Sequence, residues 1–174
     1  MQKMQCHIKG LTSYYFNKYL DEKPEKGEKA EKEYAMKTVF CNGNELFFPG
    51  IQIQGCIKAA LWLTQTKIEK SVKRGQDYVS CGLKVPQEIN FIPSMDLKDV
   101  ELIAERVNIG HDQVRLGWKA RIAKDWSAEF ELIFIDILPH KIIEEALRNG
   151  GQFCGIGGRR NWQRGRFEVK EIQV

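Results

Sequence analysis

Residues 127–174 read SAEFELIFIDILPHKIIEEALRNGGQFCGIGGRRNWQRGRFEVKEIQV. Phe130 to Leu138 is apolar on both faces apart from Glu131 and Asp136, the pattern of a central strand. Pro139 opens a helix at its favoured first position. Ile142, Ile143, Ala146 and Leu147 form the stripe of that helix, and Gly150-Gly151 end it. A loop rich in glycine and arginine follows. RFEVKEIQV then alternates Phe167 and Val169, then Ile172 and Val174 with one slip, which predicts a last strand. The fold turns on whether the first half supplies a matching strand and helix.

It does. Residues Met1 to Phe16 read as an opening strand, with Met4, Cys6 and Ile8 alternating with Gln5, His7 and Lys9. In ELFFPGIQIQGCIKAALWLTQTKIEK (residues 45–70), Ile53, Cys56, Ile57, Ala60, Leu61, Thr64 and Ile68 fall at helical spacing. Gly55 lies inside that helix, where it costs about 1 kcal/mol against alanine; its presence implies close approach of another backbone or a ligand. QVRLGWKARIAKDW and SAEFELIFIDIL read as two strands joined at Lys124 to Ser127, which predicts an antiparallel hairpin. The order strand, helix, strand, strand, helix, strand is that of an α+β, ferredoxin-like (RRM-like) β-α-β-β-α-β domain. The whole chain, 1–174, is expected to form one such domain, with helices on one sheet face and the other face open to nucleic acid.

Two insertions interrupt the pattern. DEKPEKGEKAEKE (residues 21–33) has six acids and four lysines and no apolar anchor. It reads as a solvated, mobile segment, partly helical through local Glu–Lys pairs. Residues 71–110 show no clean period and are expected to be an irregular excursion.

The 174 residues are 43% hydrophobic and 29% charged, ordinary for a globular chain with a real core. No apolar run approaches a membrane span and the N-terminus lacks a signal-peptide core, so a cytoplasmic location without membrane partners is expected. Five cysteines with no C-x-x-C argue against a disulfide framework or a zinc ribbon, and no metal or other cofactor is expected. Residues 148–174 hold six basic and two acidic residues, so they carry a net +4, equal to the formal charge of the whole chain. A local cationic patch suits a polyanionic partner.

The loop itself says more. Glycines let a backbone approach a ligand closely, and exposed N–H groups in such a turn accept phosphate oxygens. Gly155, Gly157 and Gly158 precede Arg159 and Arg160; Trp162, Arg164 and Arg166 follow. Guanidinium forks grip phosphate, and an aromatic ring stacks bases with little sequence preference. Gly157, Gly158, Arg159, Arg160, Trp162, Arg164 and Arg166 are therefore candidate RNA-binding residues, suited to a single strand. Lys58, near the start of the first helix, is a further phosphate candidate.

Two motifs at these places resemble the RAMP superfamily of CRISPR-associated RNA-binding proteins. Its first helix opens with P-G-x-x-(Ile/Leu)-x-G-x-(Ile/Leu)-(Lys/Arg), matched here by Pro49, Gly50, Ile53, Gly55, Ile57 and Lys58. A basic, glycine-rich loop precedes its last strand, matched by Gly155, Gly157, Gly158, Arg159, Arg160, Gly165, Arg166 and Phe167. Single-domain members similar to this chain are backbone subunits that assemble along CRISPR RNA in antiviral defence. The resemblance thus implies RNA binding together with self-association or contact with other CRISPR-associated subunits. Some members cleave RNA, without metal through a histidine, or through an aspartate between the first strand and first helix. His7 and Asp21 are the corresponding weak catalytic candidates here. Three functions remain open: an RNA-holding subunit, a metal-independent processing endoribonuclease, and a viral mimic that docks into a CRISPR complex.

Overall fold

A computed structural model describes residues 1–23, 25–110, 113–158 and 163–173. Strand β1 (Gln2–Gly10) is followed after a turn by the two-residue β2 (Tyr14–Tyr15) and helix α1 (Glu28–Lys37). Next come β3 (Cys41–Asn42), β4 (Glu45–Pro49), helices α2 (Ile51–Leu63) and α3 (Val72–Gly82), β5 (Leu83–Lys84) and β6 (Glu88–Ile92). The chain ends with β7 (Glu101–Gly110), β8 (Gln113–Ile122), β9 (Ser127–Phe134), α4 (His140–Asn149) and β10 (Phe167–Gln173). Sheet pairing is antiparallel.

The larger, seven-stranded sheet runs β10-β1-β9-β6-β4-β3, with β5 also paired to β9. β5 meets β9 at Leu83–Phe134 and β6 meets it at Phe91–Ala128, so two short strands share one edge of β9. Pro86, which lacks an N–H, stands between those strands. A second sheet runs β2-β8-β7. The alternation read in β1 is real: Met4, Cys6 and Ile8 are buried on the face that the helices cover. Ala128, Phe130, Leu132 and Phe134 of β9 and Phe167 and Val169 of β10 join them. Helix α2 adds Ile53, Cys56, Ile57, Ala60 and Leu61, and α4 adds Ile143, Ala146 and Leu147. One hydrophobic cluster holds these residues together with Tyr14, Ala120 and Ile122 of the second sheet.

Three expectations need correction. The hairpin across 113–138 does not form, because β8 pairs with β7 and β2 while β9 lies between β1 and β6. Trp126, wholly buried, and Asp125 at φ 70° redirect the chain from one sheet to the other. Residues 71–110 are not irregular; they hold α3, β5, β6, a 3-10 turn at Leu97–Asp99, and β7. The opening strand stops at Gly10, and Tyr14–Tyr15 joins the second sheet instead. The α-helix ends at Asn149 with Gly150 as its cap, and the chain then continues as a wider π-helical turn, Gly150–Cys154, packed on Cys56 and Phe167. The charged stretch is in part ordered as α1, where Glu28 pairs with Lys32 (2.6 Å) and Ala35 is buried. The ammonium of Lys32 also stands 4.1 Å above the Trp118 ring. None of the described helices is long and apolar enough to cross a membrane.

Gly55 meets no neighbour: a Cβ built there has nothing within 4 Å. The fold does not require this glycine. Gly55→Ala is therefore expected to raise stability by about 0.5–1 kcal/mol through helix propensity and unfolded-state entropy, read as a higher urea midpoint. A loss of stability would show that the helix packs differently.

Candidate nucleic-acid interface

The loop between the π-helical turn and β10 is built from its backbone outward. Gly155, Gly157 and Gly165 have φ of 69°, 78° and 66°, a region that side chains resist. These angles fold the two arms together, and the Ile156 N–H donates to the Gly165 carbonyl (2.9 Å). The loop then stands on the β1–β2 connection. The Gly165 N–H donates to Ser13 O (2.9 Å), Gly158 N–H to Tyr15 O (2.8 Å), and Arg166 N–H to Thr12 Oγ1 (2.9 Å). In return Leu11 N–H donates to Arg166 O (2.8 Å). A Cβ on Gly157 would lie 2.6 Å from the Tyr14 ring.

The foundation is aromatic. Tyr14 is buried among Phe16, Phe48, Phe91 and Trp126. Its hydroxyl donates to Gln52 Oε1 (3.0 Å), and burial pushes its pKa well up. Gln52, in the first turn of α2, passes the chain on by donating to Asn17 Oδ1 (3.0 Å). Asn17 in turn borders Gly158. Tyr15 donates to Glu105 of β7; burial first, and then that hydrogen bond, raise its pKa. The first turn of α2, the end of β2 and the glycine loop thus meet at one corner.

Arg164 and Arg166 are half-buried at this corner. The Arg164 guanidinium lies 5.7 Å from the Tyr15 ring centroid. The Nε of each arginine is buried with no hydrogen-bond partner among the described residues. A buried charged donor left without an acceptor costs about 1–3 kcal/mol, and a phosphate oxygen would remove that cost. Arg159, Arg160 and Trp162 lie outside the described residues. Gly157 and Gly158 serve as packing and backbone contacts to β2. Lys58 is half-buried on α2, seven residues, and hence about 10 Å of helix, beyond Ile51. Its carbonyl accepts from Gln76 of α3 (3.0 Å).

The other face of the large sheet is uncovered and acidic. Glu45, Glu88, Glu129, Glu131, Glu168 and Glu171 lie there, against Lys3, Lys9, Lys84 and Lys170, the last paired with Glu168 (2.5 Å). His7 is on this face, opposite Glu129 on β9 and Glu171 on β10, beside a depression of about 270 Å³. The helices and the glycine loop are therefore not brought to His7. Asp21 is exposed beyond β2. Among the described residues no group of three or more His, Cys, Asp or Glu side chains is arranged to hold a metal.

No protein-family model and no curated protein sequence matches the chain. Solved structures do. The chain is similar to a chain of the type III-B Cmr-beta complex bound to cognate target RNA, with TM-score 0.56 and 12% identity over 99% of this chain. It is similar to Cmr6 from Pyrococcus furiosus, with TM-score 0.54 and 12% identity over 98% of both chains. The fold is RAMP-like. The chain spans 60% of the length of the Cmr-beta chain it matches. The two motifs that carried the resemblance in the sequence lie close together in the RAMP-like fold, because Gln52, at the start of the first motif, reaches Asn17 beside Gly158 of the second.

Sequence reasoning missed Tyr14, Tyr15, Asn17 and Gln52. Tyr14 and Tyr15 read as the tail of a strand, and nothing in the spacing of Asn17 or Gln52 marks them. The tyrosine pair next to a strand-breaking Thr12-Ser13 was the available signal.

Proposed function

We propose that the chain is an RNA-binding subunit of a CRISPR-associated ribonucleoprotein, acting in the cytoplasm and holding single-stranded guide RNA by its backbone. In this reading β1, α2, β6, β9, α4 and β10 form the ferredoxin-like β-α-β-β-α-β unit, and β2-β8-β7 with α1 is an elaboration upon it. The RNA lies over the glycine loop and the outer face of α2, not across the open sheet. The uncovered sheet face has an excess of carboxylates, which repel a polyanion, whereas the loop side offers guanidinium groups whose buried donors find no acceptor among the described residues. The observation that carries the reading is the pair of buried Nε atoms of Arg164 and Arg166 beside the glycine backbone. The similarity to Cmr subunits supports a CRISPR context, and copies assembling along one RNA, or docking with other subunits, follow from it as part of the proposal.

The test is fluorescence anisotropy of a labelled 20-nucleotide uridine RNA titrated with the full chain at rising KCl. About four phosphate contacts on a single strand give a log–log slope near −3. Arg164→Ala with Arg166→Ala is expected to flatten it by about 1.4 units. No binding at low salt, or a slope unchanged in that variant, refutes the assignment.

A further inference from the structure

Helix α2 leaves one stripe outside the core: Ile51, Gly55, Lys58 and Trp62 recur at i, i+4, i+7 and i+11. Trp62 is 60% exposed, large for an aromatic side chain that the core could have taken. The register of α2 on α3 fixes its surroundings. Gln54 donates to the carbonyls of Val79 and Leu83, and Gln76 donates to the carbonyl of Lys58, so the helices run antiparallel. One further turn brings Trp62 opposite the start of α3, where Lys73 and Arg74 are exposed. The turn between the helices carries Lys67 and Lys70. It is pinned by Ile68, which is buried against Gly75, and by reciprocal backbone hydrogen bonds between Ile68 and Ser71 (3.2 and 3.1 Å). Among the described residues Lys58, Lys67, Lys70 and Lys73 form no ion pair; Arg74 has only a 3.9 Å contact with Glu69.

We propose that this α2–α3 corner is a second single-stranded RNA contact, in which Trp62 stacks a base and the surrounding lysines hold the flanking phosphates. It rests on the RNA-binding reading above and extends the RNA path from the glycine loop along α2. An apolar protein partner would not favour an exposed aromatic ring on a corner that carries four lysines without ion pairs among the described residues. A chain of bases and phosphates matches both features. The open space over Gly55, midway between the two contacts, leaves room for a backbone to lie close to the helix. The charge complementarity is the same in kind as at the loop, but the residues are different and the chain supplies them from another element.

The experiment uses the same labelled uridine 20-mer and the full chain. Trp62→Ala is expected to weaken binding about tenfold, while Trp62→Phe, which keeps a ring, stays within about threefold of the original. Lys70→Ala with Lys73→Ala is expected to flatten the salt slope by about 1.4 units. Unchanged affinity in Trp62→Ala, while Arg164→Ala with Arg166→Ala still loses RNA, overturns the second contact and leaves the loop assignment standing. A wild-type chain that binds no RNA overturns both. A Trp62→Ala variant whose oligomeric state changes while its RNA affinity does not assigns the face to a protein partner and overturns the proposal.

Discussion

Trp126→Ala is expected to lower stability by about 3–5 kcal/mol, enough to remove much of the roughly 5–15 kcal/mol that holds a domain folded. The ring is wholly buried and touches four others: Tyr14 at 6.0 Å, Phe48 at 6.2 Å, Phe91 at 5.9 Å and Phe167 at 6.4 Å between centroids. These four belong to β2, β4, β6 and β10, so one side chain ties both sheets and the start of the last strand together. Its Nε1–H also donates to Thr12 O (2.9 Å), in the turn on which the glycine loop stands. Truncation leaves a cavity and an unpaired carbonyl at once. Trp126→Phe keeps most of the packing and loses the hydrogen bond, at an expected cost of about 1–2 kcal/mol. Urea denaturation followed by circular dichroism reads both. A loss below 1 kcal/mol for the alanine variant would show that the two sheets do not share this core.

Gly165→Ala is expected to cost about 2–3 kcal/mol and to weaken RNA binding about tenfold or more. Residue 165 sits at φ 66°, and a Cβ there would lie 1.8 Å from the carbonyl oxygen of Ile156. That oxygen is backbone, so it moves only if the loop arms separate and the Ile156–Gly165 hydrogen bond breaks. Separation carries Arg164 and Arg166 away from their places beside Tyr15 and Thr12. Gly158 gives the contrast. A Cβ there meets Asn17 Cβ at 3.4 Å, an ordinary contact, and Gly158→Ala is expected to change stability by less than about 0.5 kcal/mol. Equal tolerance of both substitutions would mean that the loop is not held as described.

Three of the seven strands of the larger sheet, β1, β9 and β10, were legible because burial on one face imposes a period that residues cannot hide, whereas β3, β4, β5 and β6 were not read. β1, α2, β9, α4 and β10 each have a stripe or alternation in which the apolar positions are the buried ones. The second sheet was not legible for the converse reason. In β7, Glu101 and Ala104 are exposed while Leu102, Ile103 and Glu105 are half-buried, so no clean alternation marks a strand. Leu97, Val100, Ile103 and Ala104 even suit a helix. β8 was given the wrong partner because the nearest strand in sequence is normally the partner in space, and only the burial of Trp126 reveals that the chain changes sheets there. Helix α3 has few apolar residues, Val72 and Val79 among them, yet Ser71 caps it by accepting from the Arg74 N–H (3.3 Å), a start signal present in the sequence.

The site divides in the same way. Arg164, Arg166 and the glycine turn were picked as candidates from composition, since four arginines in one short loop call for an anion. The support beneath them was not, because Tyr14, Gln52 and Asn17 come together only through tertiary packing. Trp62, which the sequence reading passed over, lies off the apolar stripe of its own helix, a departure from local consistency. The open sheet face was expected to take RNA because folds of this order often use it; the alternation of glutamates with core residues along β1's neighbours argues otherwise, and those glutamates could have been counted beforehand.

The most direct measurement is photo-crosslinking of the full chain to a 4-thiouridine-substituted 20-mer, with the attached peptides identified by mass spectrometry. Adducts are expected within residues 155–166 and 51–74, with none on β1 or β9. Adducts confined to residues 2–10 and 127–134, on the carboxylate-lined face, would contradict the account.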